Sequence, residues 1–127
     1  MMLIDDILLK ELWKQAAESP RLRQNFDLRT TAADTSQRML NALLPGTEVP
    51  IHRHEDTSET VVCLCGRLEE MLYEEQLDGT YLEVSRELLC PAEGRYGMQI
   101  PAGAWHTIRV IEPSVIFEAK DGPFKER

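Results

Sequence analysis

The hydrophobic pattern divides the chain into one helical segment and a long succession of short strand-like runs. Near the start, Leu3, Ile4, Ile7, Leu8, Leu12, Trp13 and Ala16 form adjacent pairs and a single residue spaced three or four apart, the repeat of an amphipathic helix. Ser19-Pro20 ends the pattern, because proline cannot continue a helical ladder. It predicts a helix over about residues 3–18, docked by its apolar side on the remainder of the chain. Residues 20–36 are polar, show no sustained period and read as a loop or irregular lead-in.

From Gln37 onward the texture changes. Apolar runs at 38–44, 48–54, 59–65, 67–76, 80–89, 95–100, 105–111 and 114–120 are separated by Pro45-Gly46, Gly66, Asp78-Gly79, Pro101-Ala102-Gly103 and Glu112-Pro113, among other breaks. Asp78-Gly79 between two such runs predicts a hairpin with a type I′ turn, whose positive φ angles suit that dipeptide. One helix followed by about eight short strands makes a mostly-β domain, either a sandwich or a barrel. The organisation expected is an N-terminal helix and lead-in over 1–36, a β-barrel over 37–120 and a tail over 121–127.

Composition narrows the function. A chain of 127 residues suits a single domain with its own core. Asp and Glu number 22 against 14 Lys and Arg, a net charge of −8. That balance argues against nucleic acid or an anionic membrane as partner, both of which need positive surface. No apolar run approaches the roughly 20 residues of a bilayer span. The N-terminal segment has Asp5 and Asp6 early, with neither a basic n-region nor a small-residue cleavage site, so it does not read as a signal peptide. Cys63, Cys65 and Cys90 cannot all pair with one another, which favours free thiols in a reducing cytoplasm.

The candidate chemistry lies in three histidines. His52 and His54 are two apart in a strand-like run, so both point to one face. Two neutral imidazoles on one face can chelate an ion. Glu59 opens the next run and can complete such a set, while His106 begins another run after the Pro-Ala-Gly turn. Spacing alone leaves two readings open, a metal site or unremarkable surface and core histidines.

The arrangement around them adds a resemblance. Gly46, His52, His54, Glu59 and Gly66 stand at the spacing G(X)5HXH(X)4E(X)6G, which resembles the first motif of the cupin family. PAGAWH at 101–106 resembles the PXGXXH centre of the second. That motif usually opens with a glycine where Arg95 stands, and carries an asparagine where Val110 stands. The helix, SPRLRQNF and QRMLNALLPGT before HRH are together similar to the WbuC-family cupins, metalloproteins often linked to bacterial surface-polysaccharide gene clusters. The resemblance implies a single-domain cupin, an antiparallel jelly-roll β-barrel with an N-terminal α-helix. It also implies one divalent transition metal (Fe, Mn, Ni, Co or Zn) held by His52, His54, Glu59 and His106. Nitrogen and oxygen donors suit these metals, and alternate residues of a barrel strand converge inward.

Other residues carry both a functional and a structural reading. Val61, Cys63 and Cys65 share the face of Glu59 if strand alternation holds, as core residues or with Cys63 near the metal. Arg21, Arg23 and Arg29 are candidates for clamping an anionic ligand over the barrel mouth, against simple pairing with nearby acids. Glu69, Glu70, Glu74 and Glu75 read as a solvated outer face or hairpin tip, and Met71 and Met98 as core filler. Trp105, facing opposite to His106, reads as packing away from the site. With the histidines spent on ligation, Glu118 on the last run is the candidate catalytic base.

The function expected is a metal-dependent enzyme, an isomerase, epimerase or dioxygenase, acting on a small oxygen-rich metabolite, with a link to surface-polysaccharide (sugar) metabolism. The alternative is a non-catalytic cupin that binds or senses a sugar-like ligand. A small-molecule ligand and a homodimer are the partners expected, the dimer because cupins commonly pair through their sheets.

Overall fold

A computed structural model describes residues 1–122 of the chain. Helix α1 spans Asp6–Glu18, shorter at its start than the apolar spacing suggests. Asp5 is the reason: its carboxylate accepts from the Leu8 N–H at 3.0 Å and caps the first turn. Leu9, Leu12 and Ala16 form the buried stripe. Leu9 and Leu12 pack on a sheet face built from Leu40, Ala42 and Val115, with Trp13 and Phe26 at the margin. The Trp13 indole N–H also donates to the Ser114 carbonyl at 3.1 Å, fixing the helix to the far strand.

Six strands follow: β1 (Arg23–Asp27), β2 (Ser36–Leu43), β3 (Glu59–Glu75), β4 (Tyr81–Leu89), β5 (Gly97–Ile100) and β6 (Trp105–Asp121). All pairings are antiparallel, in the order β1-β2-β6-β3-β4, with β5 also on β3. The sequence suggests about eight strands, and the difference has three sources. The runs 59–65 and 67–76 are one strand, as are 105–111 and 114–120. Residues 48–54 form a loop with a single bridge, His52 to His106. The polar stretch at 20–36, which reads as a loop, contributes β1, whose five residues pair with Met39–Leu43.

The joined strands bend at a corner. The β3–β6 register shifts repeatedly between Cys63 and Leu68, and Gly66 sits there at φ +99°. A Cβ on Gly66 would lie 2.4 Å from the Pro113 carbonyl oxygen, so only glycine lets β3 and β6 approach this closely. Before the corner β3 pairs with β5, and after it with β4. The sheet thus folds over on itself. Leu43, Val61 and Ile116 from one half meet Leu68, Leu89 and Val110 from the other in a single core.

The corner also reverses one expectation. Cys63 is buried in that inner core, whereas Cys65 packs on the outer face under the helix. The bulge between them breaks strict alternation. The β3–β4 hairpin differs from the type I′ turn in a similar way. Gln76 donates to the Thr80 carbonyl, leaving a three-residue loop in which Gly79 takes positive φ and Asp78 does not. Asp121 ends β6 opposite Ser36; the remainder of the expected tail, 123–127, lies outside the described residues. No described helix is long and apolar enough to cross a membrane.

Candidate metal centre

His52, His54 and His106 converge at one mouth of the folded sheet, with one ring nitrogen from each within 4.8 Å of the others. Ring centroids are 4.2 Å apart for His52 and His106, 5.2 Å for His52 and His54 and 5.5 Å for His54 and His106. Backbone contacts set this arrangement. The His52 and His106 main chains exchange hydrogen bonds of 3.1 and 2.8 Å, and the Gly103 N–H donates to the His54 carbonyl at 2.7 Å. The Thr107 hydroxyl donates to the Val49 carbonyl at 2.5 Å. His52 and His54 thus reach the site from a pinned loop, not from a full strand.

The imidazoles are oriented for ligation. His52 Nδ1 lies 2.8 Å from the Pro50 carbonyl and His106 Nδ1 lies 3.0 Å from the Ala104 carbonyl. A carbonyl can only accept, so each Nδ1 carries the ring proton and each Nε2 keeps its lone pair. Such outer contacts commonly fix a metal-binding histidine. His54 Nε2 lies 2.8 Å from Glu59 Oε2. Two donors at about 2.1 Å from one ion, on adjacent octahedral positions, are about 3 Å apart. The nitrogen and oxygen donors present therefore fit one divalent transition ion.

Sheet register places the rest. Lys120 stands directly opposite Glu59 on β3 and Gln37 on β2. Glu118 stands opposite Val61 and Met39; because Val61 is in the core, Glu118 faces inward, one same-face pair from Glu59 and Lys120. In the other half Glu70 shares the face of Leu68 and is only 2% exposed. It stands one same-face pair from Leu72–His106. The run at 67–76 reads as solvated at Glu70, but the pairing of Leu68 with Val110 turns this carboxylate into the interior. Glu69 instead pairs outside with Arg86 and Arg109.

A cavity of about 730 Å³ opens beside the histidines, lined by Gln37, His52, Arg53, His54, Trp105 and Lys120 together with an acidic rim. Trp105 lines this mouth, contrary to the outward packing its alternation suggests. Tyr81 packs against its ring at 5.0 Å, and the Arg53 guanidinium sits 4.6 Å over it. Arg21, Arg23 and Arg29 are not part of the lining. Arg23 instead donates to the Glu48 carbonyl at 2.8 Å and braces the loop that leads to His52. Arg29 pairs with Asp27 at 2.8 Å, holding that carboxyl below its ordinary range. Sequence reasoning missed Lys120 and Glu70, and the inward phase of Val61 and Leu68 is the signal that locates both.

This folded antiparallel sheet with its mouth of histidines is the cupin fold. The chain belongs to the family described as a domain of unknown function, DUF6016, whose model matches residues 4–85. No curated protein matches it in sequence. Among solved structures, the TT1209 protein from Thermus thermophilus is 22% identical, with a TM-score of 0.65 over 95% of this chain and 98% of its own. The capsular polysaccharide assembling protein CapF from Staphylococcus aureus is 16% identical, with a TM-score of 0.64 over 98% of this chain and 31% of its own. The cupin domain of Schizosaccharomyces pombe Cnp3 is 13% identical, with a TM-score of 0.55 over 79% of this chain and 64% of its own.

Proposed function

We propose that this protein binds one divalent transition metal through His52, His54, His106 and Glu59. In this reading it acts as a metal-dependent enzyme on a small oxygen-rich metabolite of surface-polysaccharide metabolism. The observation that carries the reading is the pair of Nδ1–carbonyl contacts at His52 and His106, which leave two Nε2 lone pairs for one ion. A metal held there supplies Lewis acidity toward a chelating hydroxyl or carbonyl. Four protein donors would leave two positions open on a six-coordinate ion, or one if the Glu59 carboxylate binds through both oxygens, and would close a tetrahedral one.

Proton transfer then falls to a carboxylate, since every histidine of the chain is a ligand. Glu118, inward on β6, is the base proposed. The polysaccharide setting is supported by the similarity to WbuC-family cupins and by the fold shared with CapF.

Elemental analysis of the purified protein and of a His52→Ala, His106→Ala double variant tests the reading. The expected result is about one Fe, Mn, Co or Ni per chain, lost in the double variant. Metal absent from the wild type after reloading, or retained in the double variant, overturns it.

A further inference from the structure

Among the described residues, Leu22 alone takes a left-handed backbone without being glycine, at φ +56°. A side chain crowds the following carbonyl in that conformation, which persists only where surrounding contacts impose it. Here the contacts join the start of β1 to the loop that leaves β2. The Leu22 N–H donates to the Ser19 carbonyl at 3.0 Å, and the Leu44 N–H donates to the Leu22 carbonyl at 3.1 Å. On either side of Leu22 the chain turns to Thr47. The buried Thr47 hydroxyl donates to the Arg21 carbonyl at 2.7 Å and accepts from Arg23 Nη1 at 3.3 Å. The same guanidinium nitrogen donates to the Glu48 carbonyl at 2.8 Å.

This contact lies at the root of the histidine loop. Residues 44–58 carry no helix or strand, and their one β-bridge joins His52 to His106. Point contacts therefore decide where His52 and His54 stand. The far half of the loop is held by Thr107 at Val49, by His106 at His52 and by Gly103 at His54. The near half is held at Thr47 and Glu48 by residues 21–23. Arg23 is not among the residues lining the cavity, so its influence on the site runs through the loop. Ligands seated by such supporting bonds reach an ion with less reorganisation.

Resting on the metal-site reading above, we propose that Arg23 is a positioning residue for the metal centre, acting with Thr47 as a brace on the loop of His52 and His54. The left-handed turn at Leu22 is part of the brace: it directs a carbonyl before it and a side chain after it to one hydroxyl. Metal affinity is thereby tied to the seating of β1.

The test uses the full chain and two measurements: Co²⁺ affinity by competition with a chromogenic chelator, and amide hydrogen exchange of the metal-free protein. Arg23→Met keeps the apolar stem and removes the donors. It weakens Co²⁺ binding about tenfold and quickens exchange at the His52 and Gly103 amides about fivefold or more, with the β3–β6 ladder unchanged. Leu22→Ile, whose branched side chain resists the left-handed backbone, weakens binding by a similar factor. Leu22→Gly, which accepts that backbone, stays within about threefold of wild type. Arg109→Met, which removes an exposed arginine paired with Glu69, changes neither measurement. Unchanged Co²⁺ affinity or unchanged loop exchange in Arg23→Met overturns the proposal, as does wild-type affinity in Leu22→Ile. Exchange quickened evenly over the whole sheet marks a general loss of stability and overturns it as well. A wild type that binds no Co²⁺ overturns the metal-site reading and this inference together, whereas bound Co²⁺ with an indifferent Arg23→Met overturns the inference alone. If Arg23→Met does not fold, Thr47→Val, which removes the shared hydroxyl and keeps the shape, is judged by the same two measurements.

Discussion

His52 and His106 hold each other through the main chain: the His52 N–H donates to the His106 carbonyl at 3.1 Å, and the His106 N–H returns a bond of 2.8 Å. Two proposed ligands 54 positions apart in the chain are therefore joined through the backbone alone. The proposed metal pocket is thus preorganised, and most of its assembly cost falls on folding rather than on binding.

Chelation should accordingly remove the ion and leave the fold. After treatment with EDTA, the far-ultraviolet circular dichroism keeps its β signature. The stability lost, read as a lower melting temperature, is only what mass action accounts for, about 2.7 kcal/mol at a metal concentration one hundred times Kd. Collapse of the β signature on chelation would instead mark the ion as a structural staple.

Glu59→Gln tests the carboxylate against His54. The amide keeps the size of the side chain and loses the negative charge beside a divalent ion. Metal affinity should fall by about 10- to 100-fold, measured by competition with a chromogenic chelator. An unchanged affinity would remove Glu59 from the metal's surroundings.

Gly66→Ala tests the corner. The new methyl group meets the Pro113 carbonyl oxygen and the backbone is at φ +99°, so two penalties add. The loss should be about 2–4 kcal/mol, read as a lower urea midpoint. A shift below about 1 kcal/mol would show that β3 and β6 can part at little cost.

Cys63 gives the stability an alkaline dependence. Burial in the inner core pushes its thiol up to about 11 from an ordinary value of 9.0. Between those values the unfolded chain releases a proton that the folded one keeps, so stability falls as pH rises through the window and levels above it. Below pH 9 the contribution is constant. Cys63→Ala should flatten this part of the stability profile, and native Cys63 should resist iodoacetamide at about pH 8 until urea exposes it. A profile identical in wild type and variant would contradict the burial.

How much of this is legible in the sequence depends on what a spacing can encode. The Gly46-to-Gly66 spacing locates three of the four proposed ligands, and Pro101-to-His106 locates the fourth, because a ligand set is a list of residue types at fixed separations. Facing is different. Whether Lys120 or Glu70 points inward depends on register across β3 and β6, and the shifts between Cys63 and Leu68 reset the phase mid-strand. The same bulge sends Cys65 to the outer face. Strand β1 gives no apolar signal because RQNFD buries no residue fully, its pairing supplied by β2 rather than by a pattern of its own. Trp105 defeats alternation for a related reason: as the first residue of β6 it borders the open mouth and lines the cavity.

The bent course of β3 has a consequence for changes in chain length. One residue added between Thr60 and Cys63 leaves the Leu68–Val110 half of the ladder undisturbed, yet it exchanges the two faces of everything before the insertion. Glu59 is then delivered to solvent. One residue added to the 77–79 loop lengthens a surface tip and moves none of the proposed ligands. Lineages of this chain can therefore be expected to vary in length at the hairpin and to keep the count from Glu59 to Gly66 fixed.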